Sequence, residues 1–256
     1  MNMITDEMEA QIVKYIDEFM NFMNINSFPQ IDILSRVASE KTLSKNGVEV
    51  AAQAHFTPET GRHTLTITTN IPLLKYVIFH EFVHVFDTES LCKSENVTIA
   101  KCKYMGIHGY TEYHASQIEL LTLLGANSAK DTICFSMKDI IHTMSGKISV
   151  QNYIDDRYST AKALFCASGF PQSVASLGTA LGILFNYWGL RSICRMFATD
   201  YEEIVDNEAF LHFIPSKDFS AMNMLMNGWL KKTQIDTLML IYINTILRMN
   251  TTYKLE

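Results

Sequence analysis

The stretch 73–86 constrains the fold more than any other. It carries Leu73, Leu74, Tyr76, Val77, Ile78, Phe79, Phe82, Val83, Val85 and Phe86, which is apolar on nearly every face of a helix. Such a helix belongs inside a core rather than on a surface. Its main polar groups are His80, Glu81 and His84, and buried polar groups need partners. Residues i and i+4 share one helix face, so both imidazoles can reach one metal ion. Glu81, one residue along, can hold a metal-bound water and take its proton. A metal answers all three side chains; the alternative is a pair of core histidines with ordinary hydrogen-bond partners. Asn70 is the expected N-cap of this helix, with Pro72 in its first turn.

The chain has 256 residues, 48% hydrophobic and 19% charged, enough for one large domain or two small ones with a substantial core. A net charge of −6, with no cluster of Lys and Arg, argues against nucleic acid as the main partner. The five cysteines are odd in number and form no CxxC pair, which suits free thiols in a reducing compartment. The alternative is that Cys92 and Cys102 pair or hold a second metal. The N-terminal stretch carries Asp6, Glu7 and Glu9, unlike the basic start of a secretory signal, so a cytoplasmic protein is expected. No charge falls between Lys162 and Arg191, and 174–190 is barely long enough to span a bilayer. A buried helix or partner-docking hairpin is the expectation there, with a transmembrane span the alternative; Gly178 and Gly182 form a GxxxG pair that permits close helix contact.

Apolar residues Ile12, Val13, Ile16, Phe19, Met20 and Met23 recur at helical spacing over 6–24, with Asp6 and Glu9 resembling a capping box. Strands are predicted at 30–34, 48–56 and 63–69. The last alternates cleanly, with Leu65 and Ile67 facing one way and Thr64, Thr66 and Thr68 the other. A strand beside a metal helix can take an extended peptide along its edge. Residues 89–109 read as irregular, 110–124 as helix, and from about 132 onward nearly everything as helix, broken near 169–171, 199–200 and 214–215. The fold class expected is α+β: a small β-sheet with a zinc-binding helix in 1–130, then a mostly helical half, 131–256, packed against it.

Catalytic zinc takes three protein ligands and leaves a position for water. A third histidine six residues after the second is excluded, because Asp87 and Ser90 stand at the relevant positions. A carboxylate from a downstream helix is the other common solution. Glu112 in Thr111-Glu112-Tyr113-His114-Ala115 is the leading candidate, with small Ala115 one turn later; His108, His114 and Glu119 compete with it.

His80-Glu81-Phe82-Val83-His84-Val85-Phe86-Asp87 followed by Thr111-Glu112-Tyr113-His114-Ala115 resembles the gluzincin metallopeptidases. It looks most like the family of the mitochondrial peptidase that processes an ATP-synthase subunit, and ImmA/IrrE-like peptidases share the general plan. The resemblance covers about residues 60–125. It implies zinc held by His80, His84 and Glu112, with Glu81 as general base and Asp87 receiving a ligand imidazole N–H. It implies a zinc-dependent metalloendopeptidase acting on a protein or peptide substrate. His108, Tyr110, Tyr113, His114 and His142 are candidates to steady the oxyanion. The rival expectations are a non-catalytic, zinc-stabilised interaction module, a membrane-associated protease and a metal hydrolase acting on a non-peptide bond. Tyr187-Trp188 and the acidic run Asp200, Glu202, Glu203 are expected to be a core pair and a solvated face rather than binding features.

Overall fold

The computed structural model describes residues 5–37, 51–94, 96–204 and 206–255. The fold is mixed α+β, with a three-stranded sheet, a two-stranded sheet and a mostly helical C-terminal half. Two compact units share the chain: Met1–Lys101 with Ile118–Asp131, and Cys102–Gln117 with Thr132–Glu256.

In the first unit, helix α1 (Asp6–Met23) starts at Thr5, whose hydroxyl accepts the Met8 N–H at 3.3 Å. The cap is therefore Thr5 rather than the expected Asp6–Glu9 box, and Asp6, Glu7 and Glu9 instead favour the positive end of the helix dipole. Strands β1 (Ile31–Arg36), β2 (Ala52–Thr57) and β3 (Arg62–Thr68) form a sheet in the order β1-β3-β2. β1 runs parallel to β3 and β2 antiparallel to it, with Ala54 opposite Leu65. Leu65 and Ile67 are buried as their alternation requires. Thr68 is buried too, against expectation, and its hydroxyl accepts from Arg36 Nε at 3.1 Å. The part of the expected second strand at 48–50 lies outside the described residues.

Helix α2 (Lys75–Cys92) begins later than Asn70 and Pro72 suggest, and its N-cap, Leu74, has no side-chain cap bond. The residues before it are used to leave the sheet: Thr69 N–H donates to Arg36 O at 2.9 Å and Ile71 N–H to Thr68 O at 3.2 Å. Aromatic rings lock α2 to α1, with Phe19 at centroid distances of 5.2 Å from Phe79 and 5.5 Å from Phe82.

Helix α3 (Val97–Leu123) is capped by Asn96, whose side chain accepts the Ile99 N–H at 3.1 Å. The expected irregular stretch 89–109 is thus largely helical among the described residues, with α2 ending at Cys92 and α3 starting at Val97. Gly106 and Gly109, which argue for a loop in sequence, sit inside α3 for packing reasons. A methyl at Gly109 would come within 2.9 Å of the Phe185 and Tyr242 rings.

The second unit contains a hairpin that sequence periodicity does not reveal, β4 (Ile140–Thr143) with β5 (Gly146–Ser149). Helices α4 (Val150–Phe165), α5 (Val174–Phe197), α6 (Glu208–Leu211), α7 (Ser216–Leu225) and α8 (Lys232–Tyr253) follow. The breaks fall near 169–171, 199–200 and 214–215 as expected. α5 is the core helix: Leu177, Leu181, Leu184, Phe185, Trp188 and Ile193 are buried. Among the described residues no helix is long and apolar enough to cross a membrane. The close approach on α5 is at Gly189 rather than in the GxxxG pair. A Cβ there would meet Tyr113 O at 2.2 Å, whereas Gly178 has nothing within 4 Å. Tyr187 and Trp188 are both buried, Asp200 Oδ1 accepts the Met137 N–H at 2.7 Å, and Glu203 pairs with Arg191 at 3.2 Å and Arg195 at 2.8 Å. Two of the three residues in the acidic run are therefore tied into the fold.

Candidate metal centre

Helix α2 is fixed by its apolar faces. Ile78, Phe79, Phe82 and Val83 are fully buried, and that orientation sets where His80, Glu81 and His84 emerge, each half-buried. The imidazoles of His80 and His84 lie 4.9 Å apart, centroid to centroid. One ligand atom from each of His80, Glu81 and His84 lies within 4.8 Å of the others. Donors around a tetrahedral zinc stand about 3.3 Å apart, so modest side-chain rotation would bring the two imidazoles onto one ion. Imidazole nitrogen is a donor that zinc accepts, so His80 and His84 fit such a metal with the Glu81 carboxylate beside it.

Glu119, near the C-terminal end of α3, is buried and places Oε2 2.6 Å from His80 Nδ1. A carboxylate at one ring nitrogen fixes the tautomer and aims the other at a metal, so a ligated His80 would bind through Nε2. Sequence reasoning names Glu119 only as a competitor for third ligand. The structure puts it instead on Nδ1 of His80.

Glu81 Oε2 accepts the Ala54 main-chain N–H at 2.6 Å. Ala51 O accepts from Thr68 N–H at 2.8 Å, so residues 51, 53, 55 and 57 turn their main-chain groups toward β3. Ala54, of opposite parity, turns its N–H away from β3 and toward α2. β2 is an edge strand among the described residues.

Asp87 is buried on α2 and, at spacing i+7 from His80 and i+3 from His84, shares their face. Glu112 belongs to the second unit and is not in the 4.8 Å group; its Oε1 lies 3.9 Å from His108 Nδ1. On α3 it stands seven residues before Glu119, hence on the same helix face. Of the oxyanion candidates, Tyr113 is buried with its hydroxyl donating to Gly228 O at 2.6 Å, and burial pushes its pKa up to about 12. Its proton is committed to the fold. His114 stacks on Tyr110 at 5.6 Å and faces the ring of Trp229 at 6.1 Å. His142 is exposed on β4.

A second polar cluster was not foreseen. Buried His63 on β3 places Nε2 3.1 Å from Glu89 Oε2, and Glu89 Oε1 also binds Lys93. Burial holds the His63 pKa below its ordinary value, against the opposing pull of Glu89. Burial raises the Glu89 pKa, but the hydrogen bonds from Lys93 and His63 outweigh it and the net shift is downward. The i, i+4 spacing of Glu89 and Lys93 is legible in sequence; the reach to His63 depends on sheet register.

The five cysteines are thiols rather than disulfides, with Cys92 and Cys194 buried. The chain matches no protein-family model, no curated protein and no solved structure.

Proposed function

We propose that this chain is a zinc-dependent metalloendopeptidase that hydrolyses peptide bonds in a protein or peptide substrate, acting in the cytoplasm. The observation that carries this reading is the buried Glu119 carboxylate 2.6 Å from His80 Nδ1, beside the gathered ligand atoms of His80, Glu81 and His84. Metal-ligating imidazoles are characteristically held in this way, and the second imidazole and the carboxylate gathered beside His80 favour the metal over a core histidine pair. His80, His84 and Glu112 are the proposed ligands, and Asp87 the carboxylate that receives the His84 N–H. Zinc, when bound, polarises the scissile carbonyl and makes water acidic enough to lose a proton near neutrality. Glu81 takes that proton and delivers it to the leaving amine. The Ala54 N–H steadies the Glu81 carboxylate between these steps. An extended substrate lies along the edge of β2, where alternate residues turn their main-chain groups outward.

Elemental mass spectrometry and cleavage of a peptide library, run on wild type, Glu81→Gln and Glu112→Ala, test this reading. Wild type should carry about one zinc per chain and cleave peptides; Glu112→Ala should lose most of the zinc. Glu81→Gln should keep the zinc and lose about 100-fold or more in turnover. A zinc-free wild type after reconstitution overturns the metal site. Zinc retained by an inactive wild type overturns the peptidase and leaves a zinc-stabilised interaction module. Full zinc in Glu112→Ala moves the third ligand elsewhere.

A further inference from the structure

The second unit holds an open cleft of ≈ 580 Å³ between the end of α4, the loop that follows it and α6. That size is typical of small-molecule sites. Its floor is aromatic. The Phe170 ring lies 5.0 Å, centroid to centroid, from both Phe165 and Phe213. Phe165 is buried, while Phe170 and Phe213 are half-buried, so the cluster keeps ring surface at the opening.

Lys162, Asp206, Glu208 and His212 are the polar groups around this floor. Lys162 is answered by Asp206, its Nζ 2.6 Å from Oδ2. Glu208, exposed at the rim, remains as the net charge of the two carboxylates and the ammonium. α4 points its C-terminal end, the negative end of its dipole, at the cleft through Phe165 and Cys166. Aromatic faces are themselves negative and attract cations. Three independent features therefore favour a positive ligand, and the apolar floor favours one with a hydrocarbon body.

We propose that this cleft is a binding site for an organic cation of the arylalkylammonium class. Its body lies on Phe170 and Phe213, which Phe165 backs from below, and its ammonium points to Glu208 and the carbonyl end of α4. The site lies wholly within the second unit and owes nothing to the metal reading.

Cys166 lines the cleft and is exposed, which provides a reporter. The full chain is alkylated with N-ethylmaleimide alone, with phenethylammonium or with phenylacetate, and each cysteine peptide is followed by mass spectrometry. Phenethylammonium should slow Cys166 in a saturable manner and leave the exposed Cys102 and Cys134 unchanged; phenylacetate should protect nothing. Glu208→Gln, a conservative change at an exposed position, should weaken the protection about three- to fivefold, as should Phe213→Ala. Equal protection by phenylacetate, no saturable protection, or a Cys166 that fails to react at all overturns the proposal. Retained protection in both variants does so as well.

Discussion

The Ala54 main-chain N–H donates to Glu81 Oε2 at 2.6 Å, so the edge strand β2 is tied to helix α2 at Glu81. Ala54→Pro removes that donor. Because the N–H faces away from β3, the ladder survives, and an edge strand tolerates proline. The expected result is unchanged zinc content with peptide turnover reduced about 100-fold through loss of Glu81 orientation. Zinc analysis beside a steady-state cleavage assay checks it; unchanged turnover would show that the contact has no part in catalysis.

Glu119 should set metal affinity without touching the metal. Glu119→Ala is expected to weaken zinc binding about 10–100-fold, and Glu119→Gln, which can still accept from Nδ1, by less. Competition against a chromophoric chelator measures both. Equal affinity in all three proteins would reduce the His80–Glu119 contact to a packing feature.

His63 should make the fold acid-sensitive. Its folded pKa is depressed, so the folded state resists protonation more than the unfolded chain does. Its contribution is fully present above the unfolded value of about 6.5 and is lost as pH falls from there through the folded pKa. Glu89, also depressed, loses its own contribution at lower pH, from the ordinary carboxylate value downward through its folded pKa. Urea titrations of the metal-free protein should show stability falling as pH drops from about 6.5 toward 5, and His63→Gln should flatten that window. An unchanged slope in the variant would place the titrating group elsewhere.

Glycines on α5 should respond in opposite directions. Gly189→Ala forces a Cβ to 2.2 Å from Tyr113 O, a main-chain atom that cannot rotate away. The expected cost is about 1–3 kcal/mol in urea unfolding. Gly178→Ala meets nothing within 4 Å and should stabilise by up to about 1 kcal/mol through helix propensity. Equal effects would mean that α5 shifts to accommodate the methyl.

The parts of this structure most legible in the sequence are those governed by a local period. The face shared by His80 and His84 follows from 3.6 residues per turn, and the burial of Leu65 and Ile67 from a period of two. What escaped was set by distant packing. Gly106 and Gly109 read as loop residues because sequence does not reveal that Ile243, Phe185 and Tyr242 crowd that side of α3. The start of α2 at Lys75 reflects Thr69 and Ile71 spending their N–H groups on β1 and β3. Glu119 had a local clue in its seven-residue spacing from Glu112, but its assignment to His80 Nδ1 depends on how α3 is seated. Ala54 had none, since its role belongs to its main chain and any residue except proline could fill it.

The alternation of β2 ties its length to the core rather than to Glu81, since the N–H before Glu81 can come from whichever residue stands opposite Leu65. A one-residue slip of β2 against β3 would still present an N–H there, but it would turn Ala52 and Phe56 from the buried face to the other. Length variation in this strand should therefore be tolerated in steps of two, which keep the buried set facing inward.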